Sequence, residues 1–280
     1  MSRQTKFKKV NILGVEIDCL RPDESVQYLA DYLKSKQAGS IYVVKPYVEF
    51  MTRAYHDPAI KKILGSAELS LADGVSLQWA ASFLYGQPRL KPNLWQLIKS
   101  LTVDLQRSDW REQIIKERGA GVDATAKLLQ VAEKNKWRVG IITEKSDKTT
   151  AIKNNLKKIY PDLNLAQVWP GFFGTKEESR IVQEAQSLNL DLLFVARGFP
   201  RQEKFISQYR GSNLARILIG EGGTFDYDTM GGPIKRAPQA MRQVGLEWLW
   251  RLFRQPQRIF RMLSIPRFIW LVFLSAKAQK

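Results

Sequence analysis

Short apolar runs rich in β-branched residues recur along the chain and alternate with stretches of helical periodicity, and this alternation narrows the folds open to it. The runs are Val10 to Val15, Ile41 to Val44, Val139 to Thr143, Asp191 to Ala196 and Arg216 to Ile219. Between them, Glu24 to Lys36, Thr125 to Lys136, Lys148 to Tyr160 and Lys176 to Leu188 are helix-like. Strands that alternate with amphipathic helices predict an α/β fold, a Rossmann-like parallel sheet flanked by helices. In such open sheets ligands bind where loops leave the carboxyl ends of the strands. The segments after each run therefore carry the functional weight: Lys45 to Glu49, Asp73 with Gly74, Glu144 to Asp147, Arg197 to Glu203 and Glu221 to Asp226. No internal repeat or low-complexity linker interrupts the pattern.

From residue 233 onward the character changes, which divides the chain into an α/β domain over 1–232 and a helical, basic and aromatic C-terminal appendage over 233–280. The appendage sets ten Lys/Arg against a single acid, Glu247, and so holds about half of the chain's net charge of +17. Trp248, Trp250, Phe253, Phe260, Phe268, Trp270 and Phe273 are interleaved with those cations, and Pro233, Pro238, Pro256 and Pro266 cut the stretch into short helical pieces. Arginines mixed with aromatic and aliphatic residues satisfy both halves of interfacial binding, attraction to anionic lipid and burial of apolar area. Packing of Val244 to Phe253 against the sheet domain is the alternative. The run Phe268 to Leu274 is far below the roughly 20 residues of a spanning helix, so the appendage is expected to lie on a bilayer and not to cross it.

Other features bound the answer. Glu16, Asp18 and Arg21 break up the N-terminal apolar residues, so no signal peptide is evident. The lone Cys19 reads as a small buried hydrophobe and fits a reducing compartment. Together these point to a cytoplasmic protein held peripherally at the inner face of the cell membrane. Gly220-Glu221-Gly222-Gly223 is glycine-rich but lacks the GxGxxG spacing of dinucleotide sites. His56, the only histidine, cannot build a triad or a histidine metal cluster. The arginines and Gln202 of Arg197 to Lys204 suit an anionic or sugar ligand.

Taken in order, these segments resemble the WecG/TagA/CpsF glycosyltransferases. Ala72-Asp73-Gly74 looks like that family's ADG, Glu117-Arg118 through Gly121-Val122-Asp123 its E-R-x-x-G-x-D, and Pro170-Gly171-Phe172-Phe173 its HGYF. Phe199-Pro200-Arg201-Gln202-Glu203-Lys204 is similar to A-P-K-Q-E-K. Gly222-Gly223-Thr224-Phe225-Asp226, Lys235-Arg236-Ala237-Pro238 and Gly245-Leu246-Glu247-Trp248-Leu249 resemble GGSFD, KRAP and GLEWL. Two places depart from the pattern: Lys45-Pro46-Tyr47 stands where the family usually has T-x-N, and Glu144-Lys145 where it often has a glycine pair.

The resemblance implies an inverting transferase. It would move an N-acetylmannosamine-type or other hexose from a nucleotide sugar, UDP-linked by family habit, to a polyprenyl-diphosphate-linked saccharide in cell-envelope or exopolysaccharide synthesis. Its chemistry is a single displacement at the anomeric carbon, in which a carboxylate deprotonates the acceptor hydroxyl and cations stabilise the departing diphosphate. Asp73 is the implied base. Lys45, Tyr47, Gly74, Arg118, Asp123, Arg197, Gln202, Glu203, Gly222, Gly223 and Asp226 are the donor and substrate candidates. Lys235, Arg236, Arg251, Arg254, Arg258 and Arg261 are the candidates for diphosphate or lipid headgroups. Lys45 could supply a phosphate-binding cation or be a surface charge. No cofactor is implied, and no metal, although Asp226-Tyr227-Asp228 has DxD spacing. A homo-oligomer is open. So is the role of residues 86–116, where Trp95, Leu97, Ile98, Leu101, Leu105 and Trp110 suit a second membrane or subunit contact, or a solvated helical hairpin. Two other readings compete: a nucleic-acid-binding protein, against which stands the lack of any recognised module, and an inactive membrane-bound scaffold of the same fold.

Overall fold

The computed structural model describes residues 7–35, 37–87, 92–117, 121–143, 149–171, 174–239, 241, 247–256 and 259–278. Its strands are β1 (Lys9–Ile12), β2 (Val15–Asp18), β3 (Ile41–Val44), β4 (Leu69–Ser70), β5 (Val139–Ile142), β6 (Leu165–Trp169), β7 (Leu190–Val195) and β8 (Ala215–Gly220). The last six form one parallel sheet in the order β4-β3-β8-β7-β5-β6, as the alternating pattern requires. The run Val10 to Val15, expected to be a strand of that sheet, instead holds the end of β1, the Leu13-Gly14 turn and the start of β2 in a separate antiparallel hairpin. Asn11 Oδ1 accepts the Gly14 N–H at 2.8 Å, and Leu13 and Gly14 both take positive φ, so the chain reverses inside the apolar run.

Helices cover both faces. They are α1 (Pro22–Lys34), α2 (Val48–His56), α3 (Pro58–Gly65), α4 (Val75–Tyr85), α5 (Leu94–Thr102), α6 (Ser108–Arg111), α7 (Val122–Lys134), α8 (Thr149–Ile159), α9 (Thr175–Ser187), α10 (Arg201–Tyr209), α11 (Glu247–Arg254), α12 (Ile259–Met262) and α13 (Ser264–Ala278). Their starts are written locally. Pro22 opens α1 while Glu24 accepts the Arg21 N–H, and Asp57 caps α3 ahead of Pro58 through the N–H groups of Ala59 and Ile60. The strand side chains alternate between two cores. Tyr42, Val44, Leu193, Val195 and Leu218 pack with α2, α3, α4, α9 and α10; Ile41, Val43, Ile141, Phe194 and Ile219 pack with α1, α7 and α8. Each such side chain, fully buried, contributes about 1.5–3 kcal/mol, so register is fixed from both sides.

The end of the chain is partly core. Helix α13 lies against α2 and α4, with Phe268 and Phe273 buried among their side chains and the Phe268 ring edge-on to Trp79 at 6.4 Å. These two aromatics are therefore not available to lipid. Pro266, expected to break the stretch, sits in the first turn of α13, where a missing N–H costs no hydrogen bond. Among the described residues no helix is long and apolar enough to cross a membrane. In the 86–116 stretch, Leu97 and Trp110 are buried and the Trp79 indole donates to Ser100 Oγ at 3.1 Å, while Leu94, Trp95 and Ile98 point outward from α5.

Candidate active site

The carboxyl ends of the strands form the edge at which an open α/β sheet of this strand order takes its ligand. The chain leaves β3 and β7 toward the face carrying α2 and α10; it leaves β5 and β8 toward the opposite face, where α8 and the segment Phe225 to Met230 lie. Because β8 stands between β3 and β7, and β7 beside β5, neighbouring connections part in opposite directions, which is where a cleft is expected in such a sheet. The loops lining it begin at Lys45, Ala72, Thr143, Pro170, Ala196 and Glu221.

At the centre of this edge, register pairs Val43 with Ile219, which sets Lys45 opposite Glu221 two residues on. Their side chains turn toward α7, and Lys45 Nζ donates both to Glu221 Oε1 and, at 2.8 Å, to Thr125 Oγ1; the Thr125 hydroxyl in turn donates to Glu221 Oε1 at 2.9 Å. The lysine side chain is 9% exposed and the glutamate 0%. Lys45 is thus neither a surface charge nor a free phosphate cation, because its charge is spent on a buried partner.

Asp73 follows the edge strand β4 and is half-buried at the cleft, its N–H donating to the Pro46 carbonyl at 2.8 Å. Gly74, at φ +93°, turns the chain directly into α4. Tyr47, expected to face the donor, gives its hydroxyl to Glu49 Oε2 at 2.6 Å and packs edge-on against Phe50, which stacks on Phe199 at 4.0 Å. That aromatic run ties the β3 exit to the β7 exit. Helix α13 grips the two helices that start at this edge, α2 after Tyr47 and α4 after Gly74.

Several expected ligand contacts turn out to be internal. Arg197 donates through Nε to the Gly171 carbonyl at 2.7 Å and through Nη1 to Glu178 at 3.2 Å, lies over the Phe205 ring, and has its affinity for a proton lowered by burial, an effect the Glu178 pair opposes. It joins the ends of β6 and β7. Gln202 and Glu203 point into the core under β8, and burial pushes the Glu203 carboxyl up to about 8. Gly222, at φ +56°, and Gly223 shape the loop after β8. Asp226 is buried in the turn that follows, where its carbonyl accepts the Ile234 N–H at 2.8 Å, and Gly232 passes so close to Asp226 that a Cβ would overlap its carbonyl. Asp228 accepts the backbone N–H groups of Thr229 and Arg236, so the second carboxylate of the DxD spacing is spent on its own loop. Among the described residues no three His, Cys, Asp or Glu gather as metal ligands.

Beyond that turn, Arg236 forks onto Asp123 at the start of α7, and the Lys235 carbonyl accepts the Trp250 indole N–H at 2.9 Å. Arg254 lies over the Trp250 ring at 5.0 Å. The appendage is hung beside the cleft through these contacts. Arg118, Glu144, Lys145, Phe172, Phe173 and Arg258 lie outside the described residues, as do the side chains of Arg251 and Arg261. Glu221, Thr125 and Glu178 were not singled out from sequence. An acid directly after the strand was a signal for Glu221, but only the β3–β8 adjacency reveals its partner.

The chain matches the Glycosyl transferase WecG/TagA/CpsF family over residues 10–112 and 105–280. It is 36% identical over 249 residues, 89% of this chain and 84% of the relative, to an N-acetylglucosaminyldiphosphoundecaprenol N-acetyl-beta-D-mannosaminyltransferase of Bacillus subtilis (strain 168). Proteins of the same name from Bacillus spizizenii and Staphylococcus aureus (strain MRSA252) are 28% identical over 89% of this chain and 84% of the relative, and 24% identical over 100% and 97%. The match takes in both the parallel α/β sheet and the C-terminal helices, and the chain belongs to the WecG/TagA/CpsF family of glycosyltransferases.

Proposed function

We propose that this glycosyltransferase moves an N-acetylmannosamine-type sugar from a UDP-linked donor to a polyprenyl-diphosphate-linked saccharide, with inversion, and that Asp73 is the base. The observation that carries the reading is the place of Asp73: half-buried at the cleft, with its backbone fixed on Pro46 and α4 starting beyond it. Its carboxylate takes the proton of the acceptor hydroxyl as that oxygen bonds to the anomeric carbon, and the bond from that carbon to the diphosphate oxygen breaks with its electron pair on the leaving nucleotide. Arg197 is committed to Glu178 and the Gly171 carbonyl, so the cations for the leaving group are sought in Lys235, Arg236, Arg251, Arg254, Arg258 and Arg261.

The appendage supports peripheral attachment to an anionic membrane. Leu263, Arg267, Trp270, Leu274 and Lys277 share one outward stripe at the start of α13 and along it, a mix of apolar and cationic side chains. The names of the relatives specify a lipid-linked acceptor, which such a stripe would bring within reach.

The experiment is transfer from UDP-N-acetylmannosamine to a polyprenyl-diphosphate-linked N-acetylglucosamine by wild type and Asp73→Asn in anionic vesicles. We expect the variant to fall by about 10²–10⁴ in kcat with its fold unchanged. Equal turnover removes Asp73 from the role, and no turnover by wild type with any nucleotide sugar favours the scaffold reading.

A further inference from the structure

Gln202 and Glu203 open α10, and both side chains enter the core: 2% and 0% of their surfaces are exposed. Gln202 uses both ends of its amide. Nε2 donates to Glu203 Oε1 at 2.7 Å, and Oε1 accepts the Gly222 N–H at 2.9 Å. The pair lies over Gly220, the last residue of β8, where an added Cβ would stand 2.9 Å from Gln202 Nε2 and 3.0 Å from Glu203 Oε1. Any side chain at that point would have to displace the Gln202–Glu203 pair.

We infer that Glu203 is a positioning residue for sugar transfer: its carboxyl selects the orientation of the Gln202 amide, and that amide holds the first N–H of the glycine loop bordering the cleft. The inference rests on the transferase reading and deepens it by naming what sets the loop's shape. A side-chain amide is nearly symmetric in outline, and turned over it would place a donor against the Gly222 donor. The acceptor Oε1 of Glu203 removes that alternative, so the loop's shape is governed from beneath the sheet by a group that no substrate touches.

The carboxyl does this as a neutral group. Among the described residues, Glu203 Oε2 has no hydrogen-bond partner, nor does the buried Tyr42 hydroxyl. The titratable groups that act on this corner are Tyr42 from β3, Glu49 from α2 and, on the Tyr42 side, Arg210 at the end of α10. Arg210 is committed to Glu68 and to the Ser66 carbonyl. With no cation paired to it among the described residues, a charge on Glu203 would be costly, and a protonated carboxyl still offers Oε1 as an acceptor.

The test compares wild type, Glu203→Gln and Glu203→Met. Glutamine keeps the acceptor and the shape of the protonated acid; methionine fills the space without an acceptor. We expect Glu203→Gln to keep the donor KM and the amide exchange of residues 220–226 within about twofold of wild type. Glu203→Met should raise KM about tenfold with a smaller change in kcat, and speed that exchange about tenfold, close to the net worth of one hydrogen bond. Wild-type values in Glu203→Met, or a glutamine variant as impaired as the methionine one, overturn the inference. Should Glu203→Met fail to fold, Gln202→Met decides by the same exchange reading: protection of 220–226 falls about tenfold if the amide holds the loop, and wild-type protection overturns the inference. The exchange readings need no turnover, so they stand even if no sugar is transferred.

Discussion

Arg236 meets Asp123 with both ends of its guanidinium, Nη1 to Oδ1 at 2.5 Å and Nη2 to Oδ2 at 2.7 Å, and so fastens the start of α7 to a loop 113 residues downstream. The arginine side chain is 13% exposed but the aspartate 68%, and solvent screening keeps the pair's worth near 1 kcal/mol at most. Its effect is on position. Arg236→Lys keeps the charge and loses the fork. We expect little change in urea midpoint and faster amide exchange over 233–239 and 247–254; unchanged exchange would show that the fork does not hold the appendage.

Glu203 makes stability depend on pH in an unusual direction for an acid. Burial raises its folded value from 4.5 to about 8, so the folded state binds the proton more tightly than the unfolded chain. The stabilisation is complete below about pH 4.5 and drains away as pH rises to about 8. Glu203→Gln should therefore gain on wild type across that window, by up to about 3 kcal/mol at pH 7, and the gain should vanish near pH 4. Denaturant midpoints of the two proteins at pH 4, 6 and 8 measure it; a constant difference would mean that the carboxyl is already ionised.

Removing one half of the Lys45–Glu221 pair should be worse than removing both. Lys45→Met leaves the Glu221 charge buried beside Thr125, at a cost of about 3 kcal/mol or more. Lys45→Met with Glu221→Met should recover most of that loss. A double-mutant cycle by urea unfolding gives the coupling, and additive losses would mean that the two charges do not sense each other.

The appendage should separate binding from folding. Trp270 is 52% exposed and Phe268 0%. Trp270→Ser with Leu274→Ser should weaken sedimentation with anionic vesicles while leaving the thermal midpoint nearly unchanged, whereas Phe268→Ala should cost about 3–5 kcal/mol. Full vesicle binding by the double variant would move the membrane contact elsewhere.

The sheet was legible because its strands are buried on both faces and its helices on one, a pattern that survives without knowledge of neighbours. β6 was not, since Ala166 and Gln167 are half-exposed at the sheet edge and dilute the apolar run. The hairpin was misread because its turn is built from Ile12, Leu13 and Gly14, in which two apolar residues hide the reversal. In the cleft, motif order placed Asp73 and the glycine loop correctly at the strand ends. It could not tell a side chain facing the cleft from one facing the core, as with Gln202 and Glu203, since both follow the same strand exit. Lys45 was misjudged for want of its partner, because strand adjacency between residues 44 and 220 is written in no local pattern. Phe268 and Phe273 looked like membrane aromatics because helical spacing does not say what lies on the apolar side.

The seat of α13 has a consequence for how the protein is made. Residues 264–278 cover surfaces of α2 and α4 that are synthesised some two hundred positions earlier. Until that stretch clears the ribosome, the nascent sheet has one layer incomplete, with Trp79 and its neighbours uncovered. Chaperone occupancy of ribosome-bound chains should therefore persist until residues 264–278 have emerged and end when α13 docks.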